Sequence, residues 1–312
     1  TCLMMFGTLA KVQHYIRTNY GDSEQAYSCI EIPFQGIYQG NGAGPGIWML
    51  VSIPIINMLK AQGFGFKIIN AMSKETFAFV CYAFVDDTDL VHSSPPDLDI
   101  LDMMAEMQAV VDTWEGGLRA SGGALVPSKS YWYLIHFKFQ NNKWSYASIA
   151  DTPGSLSIRD ISGQNRVTLE RLEVHEARET LGVIIAMDGN HNTQTAEFLQ
   201  VAHRWAERVR SGHLSHAEVW FSLNYCILKT LEYPLMSTSL SPRQCDKIMQ
   251  PILDAALPAL GVNRHLSRTV VFGPRKFQGL GIPHLWTTQG ILKLWLAVAH
   301  GDAFTITGCA LR

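Results

Sequence analysis

The chain has no long unbroken apolar run, no C-x-x-C pair, no low-complexity tract and no internal repeat. Each absence removes a class of protein. The longest apolar stretch, "GIWMLVSIPIINML", is 14 residues interrupted by Ser52 and Pro54, short of the roughly 20 that cross a bilayer, so no membrane span is predicted. Six scattered cysteines (Cys2, Cys29, Cys81, Cys226, Cys245, Cys309) fit reduced, buried thiols of an intracellular protein, cytoplasmic or nuclear, and argue against a disulfide framework. No G-K-[ST] follows the glycine-rich stretch and no G-x-G-x-x-G fits the spacing, which removes the phosphate-binding loop and the dinucleotide fingerprint. "HLSH" (His213, His216) lacks a carboxylate or cysteine partner and reads as a helix surface or cap.

Charge is also sparse. Only 17% of the 312 residues are charged and 47% are hydrophobic, enough for a sizeable core in one large domain or two smaller ones. The net charge of −2 hides an asymmetry: residues 1–202 carry 21 acidic and 13 basic side chains, whereas 203–276 carry 5 and 10. Such a basic segment suits a polyanion, beside an acidic part that suits cations; ordinary variation between domains is the plainer alternative.

Apolar periodicity predicts a helix over 3–21, an extended stretch over 27–36, and a glycine-rich loop opening a helix that ends near Gly63, with Pro54 kinking it or shifting its start. Strands follow in "GFGFKIINAMSKETFAFVCYAFVDDTDLV", then an amphipathic helix over 97–123, a hairpin turning at Asn141 and Asn142, and a short strand at 180–186. From Asn192 the periodicity is helical, with Ser241 as an N-cap, Pro242 at the first helical position and a last helix from about Thr288. The chain thus reads as α+β over 1–190 and mostly helical over 191–312.

"FAFVCYAFV" reads as a strand buried on both faces that runs into Asp86 and Asp87, with Asp89 beyond. Two carboxylates at one tight turn repel and call for a cation, and a hard ion such as Mg²⁺ or Mn²⁺ fits phosphoryl or nucleotidyl transfer. For an isolated Asp-Asp pair, good turn chemistry is the plainer explanation.

The pair has neighbours in a particular order. "FVDD" on an apolar strand resembles the active-site signature of reverse transcriptases, at the hairpin turn of the polymerase palm. Upstream, "QGNGAGP" (Gln39, Gly40, Asn41, Gly42, Ala43, Gly44, Pro45) resembles that family's Q-G-x-x-x-S-P element, with Gly44 where the family has Ser. Downstream, "GGALVPSKSYWYL" is similar to its glycine turn, lysine and strand, and "TLGVIIA" to its primer-grip hairpin. The wording is closest to open reading frames of non-LTR retroelements (retrotransposons). The resemblance implies an antiparallel palm sheet with packed helices over 1–190, followed by a helical thumb over 191–312. It also implies Asp86 and Asp87 as metal ligands and catalytic groups, Lys129 at the departing pyrophosphate, and Gln39, Gly40, Asn41, Gly42, Gly44 and Pro45 beside template and nucleotide. The implied partners are RNA template, DNA primer and dNTP.

Such a palm uses a third aspartate on a strand before the Q-G element. Here only Asp22, in the glycine-marked "NYGDSEQ", precedes Gln39. The chain starts at Thr1 in amphipathic sequence and reads as a piece of something longer, with fingers and first aspartate expected upstream, poorly active or inactive alone. A non-catalytic nucleic-acid-binding remnant, a metal-dependent hydrolase built on the Asp pair and a helical scaffold are the rival readings. Arg275 and Lys276 either touch a phosphate backbone or cap a turn.

Overall fold

The computed structural model of the protein describes residues 17–18, 21–24, 44–70, 74–84, 87–95, 98–301, 303, 305 and 307–308. Its strands are β1 (Arg17–Thr18), β2 (Gly21–Asp22), β3 (Phe66–Ile69), β4 (Thr76–Phe79), β5 (Cys81–Phe84), β6 (Asp87–Leu90), β7 (Tyr131–Tyr133), β8 (Phe137–Gln140), β9 (Lys143–Tyr146), β10 (Ser157–Arg159), β11 (Arg166–Thr168), β12 (Glu170–Leu172), β13 (Arg178–Thr180) and β14 (Val183–Ile185). Its α-helices are α1 (Gly44–Ala61), α2 (Ile100–Ala120), α3 (Asn192–Ser211), α4 (His216–Phe221), α5 (Leu228–Leu235), α6 (Pro242–Ala259), α7 (Arg268–Phe272) and α8 (Leu285–Gly301). The protein is therefore α+β with small antiparallel sheets. Two units are distinguished: Thr1–Ile69, Thr76–Trp132 and Thr152–Arg171 form one, and Asn70–Glu75, Tyr133–Asp151 and Leu172–Arg312 the other.

In the first unit, α1 runs unbroken through Pro54 and starts at Gly44. At 18 residues it exceeds the apolar run read from sequence and is, by length and composition alone, apolar enough to cross a membrane. It ends at Gly63, whose φ of +80° lets Phe64 N–H reach back to the Leu59 carbonyl and Gly63 N–H to that of Lys60, which satisfies carbonyls at the helix end. α2 closes the same way at Gly122. Ile55 and Leu59 of α1 bury against Val110, Trp114 and Leu118 of α2, with Val80 in the same cluster. The polar side of α2 grips a hairpin instead. The Gln108 amide donates to Ser157 C=O and accepts from Ser157 N–H, both at 2.9 Å, and the buried Glu115 carboxylate accepts from Arg159 N–H and from Arg119.

Part of the helix expected over 3–21 is different where it is described: Arg17–Thr18 pairs with Gly21–Asp22, and Gly21 at φ +125° cannot be helical. The rest of that stretch, and the extended segment at 27–36, lie outside the described residues.

The second unit is built on α3 and α6, whose apolar faces meet in a core that includes Phe198, Ala202, Ile248 and Ile252. Ser241 caps α6 with Gln244 reciprocating, and Pro242 takes the first position, as the sequence predicts. A matching Ser215 and Glu218 box starts α4 and leaves His213 in the preceding loop and His216 at the helix surface. Between α4 and α5 the helix widens to π geometry over Ser222–Ile227, where Ser222 accepts from the Trp205 indole at 2.8 Å. The last helix begins at Leu285, and its buried Gln289 amide brackets Leu240 N–H at 2.9 Å and C=O at 3.1 Å. Asn141 and Asn142, both at positive φ, turn the β8–β9 hairpin as expected. The short strand expected at 180–186 is β14, paired in a hairpin with β13, because Leu181 and Gly182 both take positive φ and reverse the chain between them.

Two adjacent glycines of α2 have opposite surroundings. A Cβ on Gly117 would lie 2.8 Å from Ile55 carbons, whereas one on Gly116 meets nothing. Chemical denaturation should show Gly116→Ala gaining up to about 1 kcal/mol from helix propensity. Gly117→Ala should lose about 1–2 kcal/mol by overpacking against the stiff, β-branched Ile55. Equal gains at both sites would mean that α1 and α2 do not touch here.

Candidate functional site

The aspartate hairpin takes shape from one buried residue. "FAFVCYAFV" does not form one strand: β4 pairs with β3, β5 pairs with β6, and the two are divided at Val80, which is 2% exposed in the core. Nor is β5 buried on both faces, since Tyr82 and Phe84 are 56% and 62% exposed. An apolar run alone cannot tell a strand buried on two faces from two short strands pivoting on a core residue.

Phe84 pairs with Asp87, Ala83 with Thr88, Tyr82 with Asp89 and Cys81 with Leu90, so the connection holds only Val85 and Asp86. Asp87 therefore opens β6 rather than lying within the turn. Cross-strand partners share a face, which groups Tyr82, Phe84, Asp87 and Asp89 on the solvent side. Cys81 and Leu90, on the opposite side, pack on the core. The two-residue strand repeat alone places Asp87 and Asp89 on one face. Partial desolvation, and after it the Asp87 charge, raises the Asp89 carboxyl above its ordinary pKa.

Asp86 and the loop residues Gln39, Gly40, Asn41 and Gly42 lie outside the described residues. Gly44 and Pro45 form the first turn of α1, where a missing Pro N–H costs nothing. Lys129 ends a 3-10 turn, Pro127–Lys129, that leads into β7 after the glycines at 122 and 123, which matches the expected local order. It is exposed and makes no ion pair among the described residues. One core joins the elements that carry these groups: Trp48 and Ile55 of α1, Cys81 and Leu90 of the hairpin, and Leu125 ahead of Lys129 all belong to it. Asp22 ends β2 and belongs to that two-residue pairing.

The sequence reading missed the polar clamp beneath the hairpin. His92 follows β6 and is almost wholly buried; its Nδ1 accepts from Gly65 N–H at 3.1 Å and its Nε2 meets the Glu106 carboxylate of α2 at 3.0 Å. With Nδ1 accepting, Nε2 carries the proton and donates. Ser94 donates to the same carboxylate at 2.6 Å, and this bond first, then that of His92, lowers the Glu106 pKa. Gly65 is needed here because a Cβ would lie 2.6 Å from the Phe79 carbonyl. The available signal was a histidine placed directly after the aspartate strand.

Asp87 and Asp89 offer hard oxygen donors of the kind Mg²⁺ and Mn²⁺ prefer, and the crowding at Asp89 is what a bound cation would relieve. Among the described residues no group of three His, Cys, Asp or Glu side chains is arranged to hold a metal. Arg275 stacks over the Trp220 ring at 4.8 Å and Lys276 over Phe277, in a short 3-10 turn, so both are engaged in local packing. The chain matches no protein-family model, no curated protein and no solved structure.

Asp89 has a folded pKa above its unfolded one, so its ionised form opposes folding. That penalty is absent at pH below the unfolded value and grows as pH rises through the folded value. Asp89→Asn should raise stability at pH 7 by no more than about 0.5 kcal/mol, the range of an exposed site. The gain should vanish near pH 3, and a gain that persists there would show that charge is not its source.

Proposed function

We propose that the chain is the palm and thumb portion of an RNA-directed DNA polymerase, a nucleotidyltransferase of the reverse-transcriptase kind from a non-LTR retroelement. The observation that supports this most is the β5–β6 register. It sets an exposed Asp87, the residue after Asp86 in the sequence, opposite Phe84 on a hairpin whose base shares a core with the helix opened by Gly44 and Pro45. The order of the sequence elements supplies the rest of the support.

On this reading Asp86 and Asp87 hold Mg²⁺ or Mn²⁺, which when bound activates the primer 3′-hydroxyl and screens the leaving pyrophosphate. Lys129 brings a positive charge and a transferable proton to that pyrophosphate. Gln39, Gly40, Asn41 and Gly42 lead into Gly44 and Pro45 beside the template base pair, where glycines allow close backbone approach. Gly44 contributes no hydroxyl there. The acidic first 202 residues suit the cations, and the basic 203–276 suits the RNA–DNA duplex. That basic segment also favours a second reading, a nucleic-acid-binding protein without catalysis.

Primer extension on an RNA template with a DNA primer and Mg²⁺ separates the two. The 312-residue chain should extend slowly, Asp86→Asn should abolish extension, and Lys129→Ala should slow it about 10²-fold. Extension that survives Asp86→Asn would overturn the polymerase reading, and duplex binding without any extension would leave the non-catalytic nucleic-acid-binding reading.

A further inference from the structure

A second charged site lies in the helical unit, well away in sequence from the aspartates. Arg210 in the last turn of α3, Gln250 and Asp254 one turn apart on α6, Arg264 and His265 in the following connection, and Arg268 at the start of α7 line one open cleft of about 570 Å³. Three of its six lining side chains are guanidinium groups, and its one carboxylate is the half-buried Asp254.

The chain fixes the middle of this cleft closely. α6 ends at Gly261, at φ +74°, with Val262 N–H bonded to the Leu257 carbonyl at 2.8 Å and Gly261 N–H to that of Pro258 at 2.9 Å. The Asn263 side chain then accepts from His265 N–H at 2.8 Å, and its carbonyl accepts from Leu266 N–H at 3.0 Å. Val262 and Leu266, on either side of Arg264 and His265, pack on the core of the unit and anchor the turn at both ends. Arg264 Nε donates to His265 Nε2 at 3.1 Å, a bond that orients the guanidinium plane.

None of the three arginines has a carboxylate within ion-pair distance among the described residues, whereas Arg204 and Lys229 of the same basic segment are paired with Glu197 and Glu232. Three like charges around one opening repel, and an anion between them reverses the sign of that interaction. Planar guanidinium forks match phosphate oxygens in bidentate fashion, and the Gln250 amide adds a neutral donor. Three arginines against Asp254 leave two positive charges, more than one phosphodiester neutralises, so the cleft suits adjacent phosphates.

We propose that this cleft is a phosphate-binding site that grips consecutive phosphate groups of a single nucleic-acid strand. The proposal rests on the reading of residues 203–276 as a nucleic-acid-binding segment, gives that segment a specific site, and uses none of the aspartate hairpin.

The test measures fluorescence anisotropy of an end-labelled 20-nucleotide single-stranded RNA with the full chain, without divalent ions, across a salt series. Inorganic tripolyphosphate serves as competitor. Arg264→Gln with Arg268→Gln should weaken binding at least about tenfold and flatten the log–log salt slope by about 1.4, two phosphate contacts at roughly 0.7 each. Asp254→Asn, which removes the only carboxylate, should tighten binding about two- to threefold, a gain that misfolding cannot imitate. Arg264→Lys with Arg268→Lys should keep the salt slope and recover part of the affinity, because charge returns without the bidentate fork. Competition between RNA and tripolyphosphate would support the site as proposed. Substitutions that alter tripolyphosphate binding but leave RNA binding unchanged would overturn the nucleic-acid strand as ligand and leave free polyphosphate. Unchanged affinity and slope in the double Gln variant, with unchanged circular dichroism, would overturn the site altogether.

Discussion

The burial of Val80 between two hairpins is the constraint on which the first unit depends. A two-stranded ribbon is at best marginally stable alone in water, and β5–β6 exposes Tyr82, Phe84, Ala83 and Asp87. Its rigidity is borrowed from below. Val80 is buried with Ile55, Leu59, Val110 and Trp114, each such side chain contributing about 1.5–3 kcal/mol, and Val91 N–H bonds to its carbonyl at 2.9 Å to extend the ladder into that core. The His92 clamp on Gly65 and Glu106 fixes the outgoing strand, so both ends of the ribbon are tied while its tip carries charge.

That arrangement sets two opposed demands side by side. Desolvation, and after it the Asp87 charge, disfavour the Asp89 carboxylate, and the core beneath offsets the cost. In the helical unit the tension has the opposite sign, with three guanidinium groups around one cleft and a single half-buried aspartate among them. The two units thus present concentrations of opposite charge, as the uneven distribution along the chain implies.

Much of the fold was legible because its signals are local. Ser241 with Gln244, the Asn141–Asn142 turn and the glycines at 63 and 122 act within a few residues of themselves, and each does what its chemistry dictates. What escaped was set at a distance or against local preference. Pro54 stays inside α1 because a helix packed along Ile55 and Leu59 tolerates one lost hydrogen bond. Leu181 adopts a left-handed turn that its own preference resists, where its carbonyl accepts from the Tyr233 hydroxyl at 2.8 Å. For the candidate site, the residue types and their order were readable, but the break at Val80 and the His92–Glu106 partnership join residues many positions apart, which periodicity does not encode.

The glutamine brackets carry an evolutionary consequence. Gln108 and Gln289 each bind both the N–H and the C=O of a single distant residue, Ser157 and Leu240, using an amide to imitate a neighbouring strand. A backbone group belongs to every residue type except for proline's missing N–H, so positions 157 and 240 are free to drift without losing these bonds. Positions 108 and 289 have no such latitude: a glutamate would set a carboxylate against a carbonyl, and a leucine would leave both backbone groups unsatisfied. In related chains variation should therefore be lopsided across the Gln108 bracket, with position 108 held and 157 allowed to change, whereas Leu240 is held by its own burial in the core as well as by Gln289.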